Sequence, residues 1–260
     1  MLFRSYRDRG SRPMEDLDVL VRRSDAHRTA ELLEAAGWKR ARGPQPLETM
    51  VRIVSSTGFK HSGGSEIDLH WSPMFDAVPE ASFWDHSVEL EIGGVRTRAL
   101  DPTDQFMHVT MHGLGWHPAP LRWISDAVIV ARRNDVDWER LAEQAAAWQL
   151  SARMETALTF LGERFGVAVP EAALTRLRDA RRPLSERIAH RVLVRPPAHG
   201  ALAAVFWDRY HRMRTVGDGG DELPGMPLTR FPRYMVDSLG PGGAREVLRK
   251  AIGGSLPDPA

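Results

Sequence analysis

Two carboxylates, Asp16 and Asp18, stand two residues apart in the otherwise largely apolar run Arg12-Pro13-Met14-Glu15-Asp16-Leu17-Asp18-Val19-Leu20-Val21. In a strand successive side chains alternate between faces, so Asp16 and Asp18 share one face while Leu17, Val19 and Val21 share the other. Like charges this close repel, a cost usually tolerated when a cation or a shared proton sits between them. The pair is thus either a divalent-metal face or the wet start of a strand. A second acidic face follows at Glu66-Ile67-Asp68-Leu69-His70-Trp71, where Glu66, Asp68 and His70 alternate with Ile67, Leu69 and Trp71. If the two strands are neighbours in one sheet, Asp16, Asp18 and Asp68 converge. Three hard oxygen ligands suit Mg²⁺ or Mn²⁺, completed by water and substrate phosphates.

Cations flank both strands. Arg12 and Lys60 each sit beside an acidic strand, where they could neutralise a triphosphate, Arg by bidentate contact and Lys as a point charge; the alternative is an ordinary surface cation. Further along, His108 and His112 lie one helical turn apart on a common face. With Asp126 from the next helix they could form a histidine-carboxylate metal site of hydrolase type. The commoner arrangement is a buried hydrogen-bonded pair that pins two helices, with Asp126 fixing the imidazole tautomer. Trp116-His117-Pro118 ends that helix and could line a cleft. The run Phe206 to Arg214 mixes aromatic and basic residues, which at helical spacing reads first as an amphipathic helix.

The elements that position these groups change character along the chain. A helical turn over Met1 to Arg9 ends at Gly10 and Pro13. The strand Asp16 to Arg22 is followed by a helix with Ser24 as N-cap and a stripe of Ala26, Ala30, Leu32, Leu33 and Ala36, closed by Gly37. Met50, Ile53 and Val54 suggest a strand, Gly58 to Ser65 a turn, and Glu66 to Trp71 a cleanly alternating strand. Val88 to Ile92 and Val95 to Leu100 form a hairpin around Gly93-Gly94. After Asp101-Pro102 the pattern is helical: Thr103 to Trp116, Leu121 to Arg133, Asp137 to Trp148, Ser151 to Phe165, Pro170 to Ala180, Leu184 to Leu193 and Ala201 to Thr215. Val216 to Pro227 reads as a loop and Arg245 to Ile252 as a last helix. The expected organisation is an α/β domain over residues 1–100 and an all-helical domain over residues 101–260.

Composition bounds the chemistry further. The chain has 260 residues and 42% apolar content, enough for real cores, and its net charge of +1 gives no global reason to expect nucleic acid or an anionic membrane. Without cysteine there are no disulfides, thiolate metal sites or cysteine nucleophiles. No apolar run approaches the length of a membrane span, and Met1-Leu2-Phe3-Arg4 lacks a signal-peptide core, so a cytoplasmic location is expected. Lys39, Lys60 and Lys250 are the only lysines, a bias toward arginine read as codon usage.

The pattern Arg12-Pro13-Met14-x-Asp16-Leu17-Asp18-Val19-Leu20-Val21, followed by Ile67-Asp68-Leu69-His70-Trp71, by His108 and His112, and by Leu121 to Asp126, resembles the uncharacterised nucleotidyltransferase family of the DNA polymerase β-like superfamily. The resemblance covers residues 1 to about 165. It implies an α+β fold, a small mixed-sheet nucleotidyltransferase domain before a helical one, and transfer of a nucleoside monophosphate from an NTP such as ATP to a hydroxyl of a small-molecule or protein acceptor. Asp16 and Asp18 match the first carboxylate pair and Asp68 the third, which would bind Mg²⁺ or Mn²⁺ and help deprotonate the acceptor. The superfamily also places a strand, a glycine turn and a helix ahead of the pair, to hold the triphosphate. Here Gly10-Ser11 stands only six residues before Asp16. Either such a turn is encoded upstream of Met1 or this member has lost its phosphate-binding turn. The rival expectation is a degenerate nucleotide-binding or protein-interaction module that keeps the fold without transfer.

Overall fold

A computed structural model describes residues 16–41, 46–74, 78–114 and 121–194, with Ser5, Tyr6, Arg12, Tyr210, residues 231–237, Leu239, Gly242, Gly243 and Arg245. The expected helices over Met1 to Arg9, Ala201 to Thr215 and Arg245 to Ile252, the Val216 to Pro227 loop, Gly10-Ser11 and Trp116-His117-Pro118 lie almost wholly outside these residues.

The architecture is α+β. By its contacts the chain divides into two units, one of Met14–Glu80 with Pro196–Ala260, the other of Met1–Pro13 with Ala81–Arg195. The first unit is built on a mixed four-stranded sheet whose strands are β1 (Leu17–Leu20), β2 (Lys39–Arg40), β3 (Ser56–Lys60) and β4 (Glu66–His70), in spatial order β1-β4-β3-β2. Strands β1 and β4 are parallel; the other two pairings are antiparallel. A parallel pair needs a crossover, and the chain supplies it through α1 (Ala26–Ala35), α2 (Leu47–Ile53) and the β2–β3 strands.

One face of this sheet is apolar because alternate residues are apolar. Val19, Val21, Phe59, Ile67 and Leu69 pack with Ala30, Leu33 and Trp38, and Trp71 packs with Ala26 and Met50. The indole of Trp71 donates to the Val54 carbonyl at 2.7 Å, and its backbone N–H donates to the Ser55 carbonyl at 3.0 Å. The residue after His70 is therefore fastened on the core side. At the other end of α2, Ile53 packs with Tyr234, whose hydroxyl donates to the Ile53 carbonyl at 3.1 Å.

Three local expectations are corrected. Residues Met50 and Ile53 belong to helix α2, not to a strand: Pro46, with φ −55° and ψ 142°, sets an extended N-cap that launches a helix despite its β-branched content. The segment expected as a turn from Gly58 holds most of strand β3, with the turn confined to residues 61–65, where the His61 N–H donates to the Ser65 carbonyl. Ser24 sits within a 3-10 turn, Arg23–Asp25, and is not the cap of α1; Leu32 on that helix is 62% exposed and outside the buried stripe.

The second unit contains α3 (Glu80–Asp85) from Ala81 onward, a hairpin of β5 (Val88–Ile92) and β6 (Val95–Ala99), and helices α4 (Pro102–Leu114), α5 (Arg122–Arg133), α6 (Trp138–Ala147), α7 (Ser151–Phe165), α8 (Glu171–Asp179) and α9 (Leu184–Val194). The hairpin turns on Gly93 and Gly94, both at positive φ (59° and 81°), which two side-chain-bearing residues would adopt only with strain. Phe106, Met107, Met111, Leu141, Met154, Leu158 and Leu161 are fully buried among the helices. Among the described residues no helix is long and apolar enough to cross a membrane.

Candidate metal centre

The parallel register pairs Asp18 with Asp68 and Leu20 with His70. Paired residues of neighbouring strands point the same way. Strand β3 extends the same face, with Ser56 opposite His70 and Gly58 opposite Asp68. The apolar face is turned to the helices, so the opposite face collects Asp18, Asp68, His70 and Ser56. This is the convergence of the two acidic strands that alternation alone could only make conditional.

One oxygen of Asp18, one of Asp68 and a ring nitrogen of His70 all lie within 4.8 Å of one another, the one group of that kind among the described residues. His70 Nε2 is 3.2 Å from Asp18 Oδ1 and 3.2 Å from Asp68 Oδ2. The Ser56 hydroxyl donates to Asp68 Oδ2 at 3.2 Å. Burial pushes the His70 imidazole down, but the hydrogen bonds and charges of Asp18 and Asp68 outweigh it and lift the ring to about 9. Near neutrality the ring is an imidazolium between two carboxylates. For Asp68, burial pushes the carboxyl up; the bond and charge of His70 and the Ser56 hydroxyl bring it below the usual carboxylate range. The side chain of Asp18 is 65% exposed and that of Asp68 30%, so one carboxylate faces solvent while the other is held.

Two carboxylate oxygens and an imidazole nitrogen suit a divalent cation. The oxygens alone fit Mg²⁺, and the nitrogen fits Mn²⁺ as well. Two carboxylates on one face favour a positive charge between them.

Asp16 lies just before β1, exposed, and is not part of the three-residue group. Lys60 stands on the same sheet face and bonds Glu66 at 2.5 Å. Arg12, Asp126, His108 and His112 belong to the helical unit. There the Arg12 guanidinium makes a bidentate bond to Asp126, 3.0–3.1 Å, and the Tyr6 hydroxyl donates to Asp126 Oδ1 at 2.6 Å. The His108 and His112 rings stack at 5.2 Å and 15°. These histidines and Asp126 do not form a metal-sized group. The part of His70 in bridging both carboxylates was not legible beforehand, although its place two residues after Asp68 was the signal that put it on the acidic face.

A family model described as uncharacterised nucleotidyltransferase matches residues 1–166. No curated protein and no solved structure matches the chain.

Proposed function

The chain belongs to the uncharacterised nucleotidyltransferase family, and from that premise we propose that it transfers a nucleoside monophosphate from an NTP to a hydroxyl of a small-molecule or protein acceptor, using Mg²⁺ or Mn²⁺. The observation that carries this reading is the meeting of Asp18, Asp68 and His70 within 4.8 Å on the open face of adjacent parallel strands. Asp18 and Asp68 would hold the ion, and Asp16, just before β1, is the other carboxylate of the first pair. A bound divalent ion would supply charge neutralisation for the triphosphate and the departing pyrophosphate.

The chain's own groups divide the remaining work. In the transfer the acceptor oxygen bonds the α-phosphorus, the bond to the bridging oxygen breaks, and pyrophosphate leaves with its electron pair. Asp68 is the group placed to receive the acceptor's proton, because Ser56 and His70 fix its orientation. His70 keeps the two carboxylates together before any ion arrives. Lys60, on the same sheet face, is the cation offered for phosphate charge.

One observation favours a second reading, a binding module without transfer: His70 already bridges the acidic pair and offsets one of its two charges. The test uses α-³²P-labelled ATP, GTP, CTP and UTP with Mg²⁺ or Mn²⁺ and an extract of small molecules and proteins as acceptors. Label transfer by the wild type, lost in Asp68→Asn together with the Mn²⁺ resonance signature of the bound ion, supports the transferase. Nucleotide binding by calorimetry with no pyrophosphate release supports the module.

A further inference from the structure

Among the described residues, neither backbone nor packing demands a glycine at position 58. It is the middle residue of β3, outside the positive-φ conformations that call for glycine. Among the described residues a Cβ there would meet the Ala41 Cβ at 3.5 Å, an ordinary van der Waals contact. Glycine inside a strand costs stability relative to alanine, and where it persists another group often approaches the backbone closely. Gly58 is paired with Asp68 on one side. On the other side the Ala41 N–H donates to its carbonyl at 2.8 Å. Among the described residues, the strip of this face at Gly58 and Ala41 is thus a floor carrying at most a methyl group.

The far end of that floor is cationic. Lys60 lies two residues from Gly58 on the same face, and its cross-strand partner is Lys39. Like charges directly opposite each other are unfavourable in a sheet. Glu66 relieves Lys60; Lys39 is exposed on the edge strand. In a chain that uses arginine almost throughout, two of the three lysines are set against each other here. An ammonium on a flexible stem is a point charge with rotatable donors, suited to a phosphate chain, whereas arginine favours a fixed bidentate geometry.

We propose that this floor seats the polyphosphate of the nucleotide, which runs from Asp18 and Asp68 over Gly58 and Ala41 to Lys60 and Lys39. The proposal rests on the nucleotidyltransferase reading and adds where the triphosphate lies. A polyanion against the sheet needs bare backbone beneath it and positive charge at its end, and this strip offers both. It also gives the phosphates a seat on the sheet itself, independent of a glycine turn ahead of β1.

The experiment is calorimetry of the full chain with Mn²⁺-tripolyphosphate, beside Mn²⁺ alone followed by electron paramagnetic resonance. The wild type binds both. Gly58→Val, which fills the floor, and Lys39→Glu each weaken tripolyphosphate by about tenfold or more, as expected for losing a charge-assisted contact. Both leave Mn²⁺ binding unchanged, and Lys39→Arg retains most of the affinity. Gly58→Ala melts no lower than the wild type. Tripolyphosphate binding unaffected by Gly58→Val or by Lys39→Glu overturns the proposal, as does a lowered melting temperature in Gly58→Ala, which would mean that the glycine serves folding. A wild type that binds Mn²⁺ but no tripolyphosphate overturns the seat and leaves the metal centre standing; one that binds neither overturns the transferase reading as well.

Discussion

The bridge that His70 makes between Asp18 and Asp68 ties the stability of the sheet to pH. In the folded chain the ring titrates at about 9, against an ordinary value of 6.5. The folded state binds this proton more tightly than the unfolded one, so the stabilisation is fully present below about pH 6.5 and is lost as pH rises through about 9. The gap between 6.5 and about 9 corresponds to at most about 3 kcal/mol. Because Asp18 is 65% exposed, solvent screens its share, and about 2 kcal/mol is the working figure. Urea unfolding in the presence of a chelator, for wild type and His70→Gln, should show their stability difference shrinking by about that amount between about pH 6 and pH 9.5. In proton NMR the His70 ring should titrate about two pH units above an ordinary histidine. Saturating Mg²⁺ should pull that midpoint down, since ion and proton compete for the same three groups. A midpoint at or below 6.5, or a stability difference that ignores pH, would refute the reasoning.

Two further predictions concern the helical unit. Gly113→Ala would ordinarily favour a helix by about 1 kcal/mol, but its Cβ would fall 2.1 Å from the Cβ of Trp123 on α5. The sign therefore reverses, with a net loss of about 2–3 kcal/mol in thermal unfolding; an unchanged or raised melting temperature would contradict the close α4–α5 approach. Asp126→Asn leaves the guanidinium of Arg12, only 20% exposed, without its carboxylate, at a cost of about 2–3 kcal/mol in urea unfolding. In the wild type, burial together with the hydrogen bond and charge of Asp126 pushes the Tyr6 phenol up to about 12. In the variant the phenolate absorbance should appear at lower pH, and an unmoved alkaline titration would count against the Tyr6–Asp126 bond.

What was legible in the sequence is what period and punctuation encode. The alternation of Glu66 to Trp71 put Asp68 and His70 on one face and Leu69 and Trp71 on the other, and the sheet keeps that division. Gly93-Gly94 marked the hairpin because only a tight turn needs two such residues. The α4 to α9 helices follow their apolar spacing closely. Segments decided by tertiary pairing were harder. Ser56 to Lys60 has a glycine at its middle and a turn at its end, yet it is an internal strand because β4 and β2 pair with it on either side. Met50, Ile53 and Val54 suggest a strand by residue type, but Pro46 starts a helix that takes in Met50 and Ile53. In the candidate site, the identity of the acidic faces was readable; the parallel register that sets Asp18 against Asp68 was not, since nothing in either segment alone specifies its partner. Grouping by contacts also differs in kind from grouping by residue pattern. The hairpin reads as the end of the α/β half, yet it falls in the same unit as the helices.

The parallel pairing of β1 with β4 has a thermodynamic consequence. Asp18 and Asp68 come together only after the chain has passed through α1, β2, α2 and β3, so the ligand set does not exist in the unfolded chain. Any ion that prefers the assembled site acts as a folding ligand, adding about 2.7 kcal/mol when present at a hundred times its dissociation constant. The melting temperature of this unit thus becomes a metal gauge that needs no substrate. In the absence of an ion the proton on His70 fills the same place in the linkage, so proton and ion are alternative ligands of the same folded site.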